Sequence, residues 1–598
     1  MSGACCGESV VTDNSETGAA TPLIVLRDAA HGCWLRFGGP RRLLVAWRVE
    51  EVLPCLAELE AAVAAGLHAA GFIAYEAAPA FDPALRVRPP EAQWPLLWFA
   101  LGPPPEPFAW PAPPVPVIAT DWQPDLTLAR YQQRLRHIKA LLGAGTVYQV
   151  NFTYRLRSTF HADPWLFFQQ RVAAEQPRYG AYIDGGDWVL ASLSPELFFR
   201  LDGQCISSRP MKGTAARGLW YQQDMAQAAA LRASPKERAE NLMITDMVRN
   251  DLGRIATPGS VTVPELFGVE RYRSVWQMSS TVRATTSASL SHILTALFPA
   301  ASITGAPKAM AMATIAALET SARHSYTGAI GFVAPARQAQ FNVAIRSLWL
   351  DRRQGQAEYG VGGGIVWDAR PAQEWRECQI KARALGSTAV EFELLETLAW
   401  TPAEGYRRLS RHLLRLARSA AYFAFRLDQC AVRRALTGLA ARLPPQPHRI
   451  RLQLSRDGTL QLSSQAYAVL PAMPQRIVLA RAPIDPADPF LYHKTTQRHV
   501  YQQALAARPG WDDVLLYNGR GEITESTIAN VVVEIKGMHY TPPLRCGLLP
   551  GTHREALLAC RQLRERVLTV EQVVTGARIY LINSVRGSGQ VELCAGPD

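Results

Sequence analysis

The spacing of apolar and polar positions divides the chain into three stretches. Between residues 21 and 117, short apolar runs (PLIVLRD, RRLLVAW, GFIAYEA, WPLLWFAL) alternate with one helical stretch, VEEVLPCLAELEAAVAAGLHAAG, which predicts a mixed α/β region. The proline-dense GPPPEPFAWPAPPVPV that closes it is barred from helix and from central strand, so it reads as a connector. Leu128, Tyr131, Leu135, Ile138 and Leu142 then share one helical face, and GTVYQVNFTYRLRSTF has strand composition. In DWVLASLSPELFFRLDGQCISSRPMKGT the Asp-Gly pair predicts a hairpin, with Glu196 and Lys212 on neighbouring strands or their ends. Ser234, Pro235 and Glu237 mark a helix start, as cap, first-turn proline and capping-box partner, for a helix running toward Gly253 with Glu240 in its second turn.

Further along, FPAASITGAPKAMAMATIAALE has a glycine and proline turn opening a helix whose first amides could receive an anion. YTGAIGFVA, QFNVAIRSLWL and AEYGVGGGIVW are strand-like, and Gly362, Gly363 and Gly364 permit either close backbone approach to a ligand or a tight bulge. In QEWRECQIKARAL, Glu374, Glu377 and Lys381 fall on one helical face, a placement that serves a divalent cation or a solvated surface equally well. A connector at Thr388 to Glu391 precedes FELLETLAW, which opens a new unit, and YRRLSRHLLRLARSAAYFAF reads as a basic amphipathic helix with a solvated face.

Composition narrows this picture. A chain of 598 residues exceeds one ordinary core and predicts three or four domains or subdomains, which the 48% hydrophobic content can fill. The expected divisions are a disordered tail at 1–20, an N-terminal α/β part at 21–117, a catalytic domain at 118–386 and a last domain at 387–598. No run of eighteen apolar residues predicts a membrane span, and the Ala-rich patch from Ala61 to Ala74, broken by His68, suits a helix. The first twenty residues lack the basic start and apolar middle of a secretion signal. Cysteines without CxxC pairs fit reduced thiols, and a cytoplasmic location is expected. The net charge of +12 is spread along the chain without a basic block, which argues against nucleic acid and suits a small acidic substrate.

The lysines are the most informative residues. Only seven stand among the 63 basic residues (Lys139, Lys212, Lys236, Lys308, Lys381, Lys494 and Lys536), so arginine supplies charge almost everywhere. A guanidinium cannot shed its proton near neutrality, whereas an amine can become a nucleophile or form a Schiff base. Lysines left at random by Arg-rich codon usage are the ordinary alternative. Glu196, Lys212 and Glu240 on three successive segments suit an anionic substrate whose hydroxyl must leave.

SPELFF, PMKGT, KERAENLMITDMVRNDLGR, SITGAPK, the IRSL around Arg346, VGGGIV and QEWRECQIKA, in that order, resemble the chorismate-utilising enzymes, strongly over about 120–385. The lysine in PMKGT is similar to the aminodeoxychorismate synthase branch; anthranilate synthases usually carry alanine there. The resemblance implies an α/β (α+β) fold with a two-sheet β core surrounded by helices. It implies that Lys212 attacks C2 of chorismate while Glu196 assists departure of the C4 hydroxyl, and that ammonia then adds at C4 and expels the lysine. Glu240, Glu374 and Glu377 would form a Mg²⁺ site; Arg346, Tyr326, Thr304, Gly305, Gly362, Gly363, Gly364 and Lys381 would bind the substrate. Gln277 stands where relatives often have histidine. The chain shows no glutamine-hydrolysing segment, so a separate glutamine amidotransferase subunit is the expected source of ammonia.

The last third differs. HLLRL, HKTTQRHVYQQAL, DDVLLYNGRGEITESTIANVVV, YTPPLRCGLLPGTHRE and IYLINSVRG resemble class IV aminotransferases and aminodeoxychorismate lyases, which implies a fold-type IV α/β domain binding pyridoxal 5'-phosphate (PLP). By that resemblance Lys494 carries PLP in Schiff-base linkage, Glu525 pairs with its pyridine nitrogen, Arg415, Gly551, Thr552 and Ser584 contact its phosphate, and Thr397 assists the lyase step. A homodimer through this domain is left open. The expected product is 4-aminobenzoate; an anthranilate-type synthase, an amino-acid transaminase and a non-catalytic PLP-binding module are the alternatives.

Overall fold

The computed structural model describes residues 12–13, 22–91, 93–110, 121–386, 390–467 and 473–595. It comprises two units, one of residues 1–216 and 228–390, the other of 217–227 and 391–598. Of the expected disordered tail only Thr12–Asp13 is described, as a short strand pairing with Leu43 and Arg42; the rest lies outside the described residues.

Two sheets face each other in the first unit. One holds Arg42–Ala46, Leu97–Gly102, His68–Ile73, Ala329–Ala334, Gln338–Val343, Leu197–Asp202, Cys205–Arg209, Val275–Thr285 and Met211–Ala216 in that spatial order. The other runs from Gln149–Thr159 through Gln356–Ile365, Ser347–Asp351, Trp188–Ser194 and Tyr179–Asp184 to Leu23–Asp28 and Cys33–Phe37. Residues 21–117 therefore supply strands to both sheets. Ile24, Leu190 and Trp349 of one sheet meet Phe72, Trp98 and Ile330 of the other in a shared core. The opposite faces are covered by helices: Val49–Ala64 on the first sheet, Leu128–Gly143 and Lys308–Leu318 on the second.

Two local expectations are corrected here, and a third is narrowed. The Ala-rich patch is helical only to Ala64; His68–Ile73 is a strand between Leu97–Gly102 and Ala329–Ala334, where a Cβ on Gly71 would come within 1.9 Å of the Trp98 carbonyl. Alanine's helix propensity is a weak preference, and a run of small residues buried on both faces gains more inside a sheet. The Glu196 and Lys212 strands are not neighbours, because Cys205–Arg209 and Val275–Thr285 lie between them. Of the two readings of Gly362, Gly363 and Gly364, the bulge is ruled out, because they pair in register with Thr153, Phe152 and Asn151, while all three line a cavity.

The second unit has an antiparallel sheet of Gly405–Tyr406, Leu394–Thr401, His448–Leu454 and Leu460–Ala466. Helices Leu409–Phe423 and Gln429–Ala440 cover it through Leu413, Leu416 and Leu436. The solvated face expected of the first helix is only partial, since its basic His412 and Arg415 are buried. An eight-stranded sheet closes on itself where Ile523–Ser526 meets Asn530–Ile535 through Glu525 and Asn530. Among the described residues no helix is long and apolar enough to cross a membrane.

Candidate active sites

The first unit holds a cavity of about 210 Å³, lined by Glu196, Lys212, Glu240, Tyr326, Arg346, Gly362, Gly363, Gly364, Glu374, Glu377 and Lys381. Lys212 extends from Met211–Ala216, with its Nζ 3.9 Å from Glu240 Oε2. A Cβ on Gly364 would lie 2.2 Å from that Nζ, so glycine here is what leaves room for the amine. Glu196 sits just ahead of Leu197–Asp202 and accepts a 3.4 Å hydrogen bond from the Met211 amide. Burial raises its carboxyl to about 7, against the opposing pull of Ser302, the Met211 amide and the Lys212 charge. An acid poised there is protonated often enough near neutrality to donate.

Glu240 lies on Pro235–Gly253, which Ser234 caps by accepting from the Glu237 amide, while Glu237 itself lines the cavity. On Pro371–Ala382, burial and then repulsion from Glu377 raise Glu374 to about 7. Glu377 is held low, chiefly by the charge of Lys381, whose Nζ is 2.8 Å from Glu377 Oε1 and also donates to the Gly362 carbonyl. Among the described residues no group of three or more His, Cys, Asp or Glu gathers closely enough to hold a metal ion. Arg346 enters the cavity from a left-handed backbone, φ +52°. Tyr326 is packed between Gly360, whose added Cβ would sit 2.3 Å from the ring, and the Arg155 guanidinium, 4.9 Å from the ring centre.

Thr304 and Gly305 do not line this cavity; their neighbours Ser302 and Ile303 do. Gly305 is committed to pairing with Val150, and Thr304 Oγ1 bonds back to the Ala300 carbonyl. Gln277 lines the wall and contacts Thr214 Oγ1. Sequence reasoning missed Gln149: it is fully buried, its amide nitrogen lies 3.0 Å from the same point beside Gly364 that Lys212 approaches, and neither amide atom has a hydrogen-bond partner among the described residues. A buried unpaired amide was the available signal, and it exists only in three dimensions.

The second unit has a cavity of about 410 Å³ lined by every residue expected there: Lys494, Glu525, Arg415, Gly551, Thr552, Ser584 and Thr397. Lys494 is held down to about 8, first by burial and then by the charges of Arg415 and Arg498. Glu525 accepts from Tyr501 Oη at 2.8 Å, the Leu549 amide at 3.1 Å and Asn530 Nδ2 at 2.9 Å, while burial raises it to about 7. Alternation along Leu394–Thr401 points Thr397 into the cavity and Glu396 to the opposite face. There Glu396 receives Arg415 Nε at 2.9 Å and Nη2 at 2.6 Å, with His412 Nδ1 at 2.6 Å. His412 continues to Ser584 Oγ at 2.7 Å and Thr552 Oγ1 at 3.2 Å, so one buried carboxylate orders three of the four expected phosphate contacts. Gly551 opens Thr552–Ala559, and a Cβ there would strike Asn530 Oδ1 at 1.9 Å.

Anion-binding cradle, buried amine and buried acid together fit PLP. Glu396 and His412 went unassigned in the sequence because nothing local separates them from any helix or strand polar residue. Arg449 and Arg451, alternate residues of His448–Leu454, add two more guanidinium groups to the wall.

Residues 111–387 match the model of the chorismate binding enzyme family, and residues 393–594 match that of amino-transferase class IV. Aminodeoxychorismate synthase component 1 of Klebsiella aerogenes is 41% identical over 264 residues, 44% of this chain and 58% of that protein. Anthranilate synthase component 1 of Streptomyces coelicolor is 36% identical over 267 residues, 44% of this chain and 52% of that protein. The chain thus spans under three fifths of the length of these curated relatives. The crystal structure of anthranilate synthase component I from Streptococcus pneumoniae shares the fold of the first part at 22% identity, with a TM-score of 0.51 over 61% of this chain and 91% of that one. The chain thus carries one stretch, residues 111–387, similar to the chorismate binding enzymes, and a second, residues 393–594, similar to the class IV amino-transferases.

Proposed function

We propose that the chain makes 4-aminobenzoate from chorismate in two steps, one in each cavity. The observation that carries this reading is a primary amine in each cavity beside a buried carboxyl raised to about 7, Glu196 with Lys212 and Glu525 with Lys494.

In the first step Lys212 Nζ bonds to C2 of chorismate, the ring double bond shifts, and the C4–O bond breaks as Glu196 gives its proton to the departing hydroxyl, which leaves as water. Ammonia then bonds to C4, the double bond returns, and the C2–N bond to Lys212 breaks. The sum is chorismate plus ammonia to 4-amino-4-deoxychorismate plus water, with two displacements accounting for retained geometry. Arg346 and Tyr326 hold the carboxylates. Glu240, Glu374 and Glu377 all line the cavity and would hold Mg²⁺ only by drawing closer than they stand here; in favour of this, Glu374 is raised partly by Glu377, a repulsion that a divalent cation would relieve. The ammonia comes from a separate glutamine amidotransferase subunit, and the cytoplasm is the setting.

In the second cavity PLP, when bound, supplies an electron sink for the carbon bearing the amino group. Arg415, Gly551, Thr552 and Ser584 hold its phosphate and Glu525 its ring nitrogen. Lys494, held down to about 8, is neutral often enough to take the proton from C4 of aminodeoxychorismate. The bond to the enolpyruvyl oxygen breaks, pyruvate leaves, and the ring becomes aromatic.

The test is one incubation of the full chain with chorismate, Mg²⁺, PLP and an ammonium salt, with aminobenzoate isomers and pyruvate quantified. The expected result is 4-aminobenzoate and pyruvate in equal amounts, with Lys212→Arg blocking the first step while still converting supplied aminodeoxychorismate. Formation of 2-aminobenzoate, or normal turnover by Lys212→Arg, overturns the first half; transamination of a keto acid without lyase turnover overturns the second.

A further inference from the structure

Residues 323–327 carry Tyr326 into the first cavity on a turn with two left-handed residues, His324 at φ +54° and Thr327 at φ +62°. Neither is glycine, and threonine is β-branched, so this backbone persists only where its surroundings dictate it. The clamp comes from far away in the sequence. Glu76, 1% exposed, accepts the Arg323 amide on Oε1 at 2.7 Å and the His324 amide on Oε2 at 2.8 Å, and the Tyr75 amide donates to the His324 carbonyl at 2.8 Å. Trp94 stacks on the His324 ring at 3.9 Å.

The Arg323 side chain extends the clamp to two more wall segments. Its Nη1 donates to the Ile303 carbonyl at 2.9 Å and its Nη2 to the Asn151 carbonyl at 2.7 Å. Glu319 neutralises it from one side, and the Tyr75 ring lies 4.6 Å from the guanidinium carbon on another. Asn151, Ile303 and Tyr326 all line the cavity, whereas Glu76 does not. One carboxylate thus stands behind three separate pieces of the wall.

We propose that Glu76 is a positioning residue for substrate binding: by holding the Arg323 and His324 amides it keeps the strained turn, and through it Tyr326 and the Arg323 ties, in the form that receives the substrate's carboxylate. This rests on the reading of the cavity as the chorismate site. Glu76 lies outside the segment matching the chorismate binding enzymes, but the strand just before it, His68–Ile73, pairs with Ala329–Ala334 inside that segment, so on this proposal the N-terminal strands belong to the binding apparatus. A glutamine at 76 keeps the shape but presents one acceptor and one donor to two N–H groups, so one of them is left facing another donor.

The experiment measures KM for chorismate and kcat for the ammonia-dependent first step in full-length parent, Tyr326→Phe, Glu76→Gln and Glu76→Gln/His324→Gly. Glu76→Gln is expected to raise KM at least about tenfold with kcat within about threefold, the signature of lost ground-state binding. Glycine adopts the left-handed conformation freely, so His324→Gly in that background recovers a threefold or larger part of the KM; a role confined to filling the core would not be rescued this way. Arg323→Lys, which cannot span the Ile303 and Asn151 carbonyls, carries the same KM criterion where Glu76→Gln yields no folded protein. KM within twofold of the parent in Glu76→Gln, or an unrescued double variant, overturns the proposal. If Tyr326→Phe also leaves KM unchanged, the reading of the cavity fails first; if Tyr326→Phe raises it, only the role of Glu76 fails.

Discussion

Glu396→Gln should cost the second unit about 3 to 4 kcal/mol. Glu396 is 2% exposed, and although burial pushes its carboxyl up, the Arg415 and His412 contacts outweigh that and hold it down to about 2 from the usual 4.5. The difference of 4.5 − 2, at about 1.4 kcal/mol for each tenfold change, gives the figure, and it agrees with the cost of breaking a buried ion pair on one side. Because the folded value is depressed, this stability is present above pH 4.5 and is lost as pH falls through 2. Calorimetry on the full chain reads it on the transition that added PLP moves upward. For a unit of this size the shift is about 6 to 16 °C at pH 7. The variant should also lack the parent's loss of stability between pH 4.5 and 2, and should bind PLP more weakly, since Arg415 and His412 would lose the group that aims them. An unchanged transition with an unchanged acid slope would refute the argument.

Two further outcomes follow from the cavities. Capture of PLP by the apo protein, followed by absorbance, should rise through about pH 8 and vanish in Lys494→Ala; a rise only near pH 10 would mean that burial and Arg415 do not act on this amine. Gly364→Ala places a methyl 2.2 Å from Lys212 Nζ, and displacement of the nucleophile should lower the first step at least about a hundredfold while the second unit's reaction on supplied aminodeoxychorismate is unchanged; equal first-step rates would show that Lys212 works from elsewhere.

Most of the residues that line the two cavities were legible along the chain, because the signal lies in residue identity. Lysines stand out in an arginine-rich sequence, and the Asp202-Gly203 hairpin and the Ser234 cap formed as their local signals demand. Both family resemblances rest on such short ordered motifs. The ligand loop anticipated at Thr304 and Gly305 illustrates the limit: the right segment reaches the cavity, but through Ser302 and Ile303, because strand pairing with Val150 claims Gly305.

What the sequence by itself determined is which groups can do chemistry: two amines, their acids, and the helix and strand propensities within a few residues of each. Only the tertiary structure decided that Ala69 and Ala70 are strand, that Gly364 must lack a Cβ because Lys212 lies against it, and that Glu396 and Glu76, ordinary glutamates in the text of the chain, sit buried behind the walls of two cavities. The division has a physical origin. Turn and cap preferences act over three or four residues and survive in any context, whereas burial, carboxyl acidity and close approach are set by atoms that the chain brings together from hundreds of residues apart.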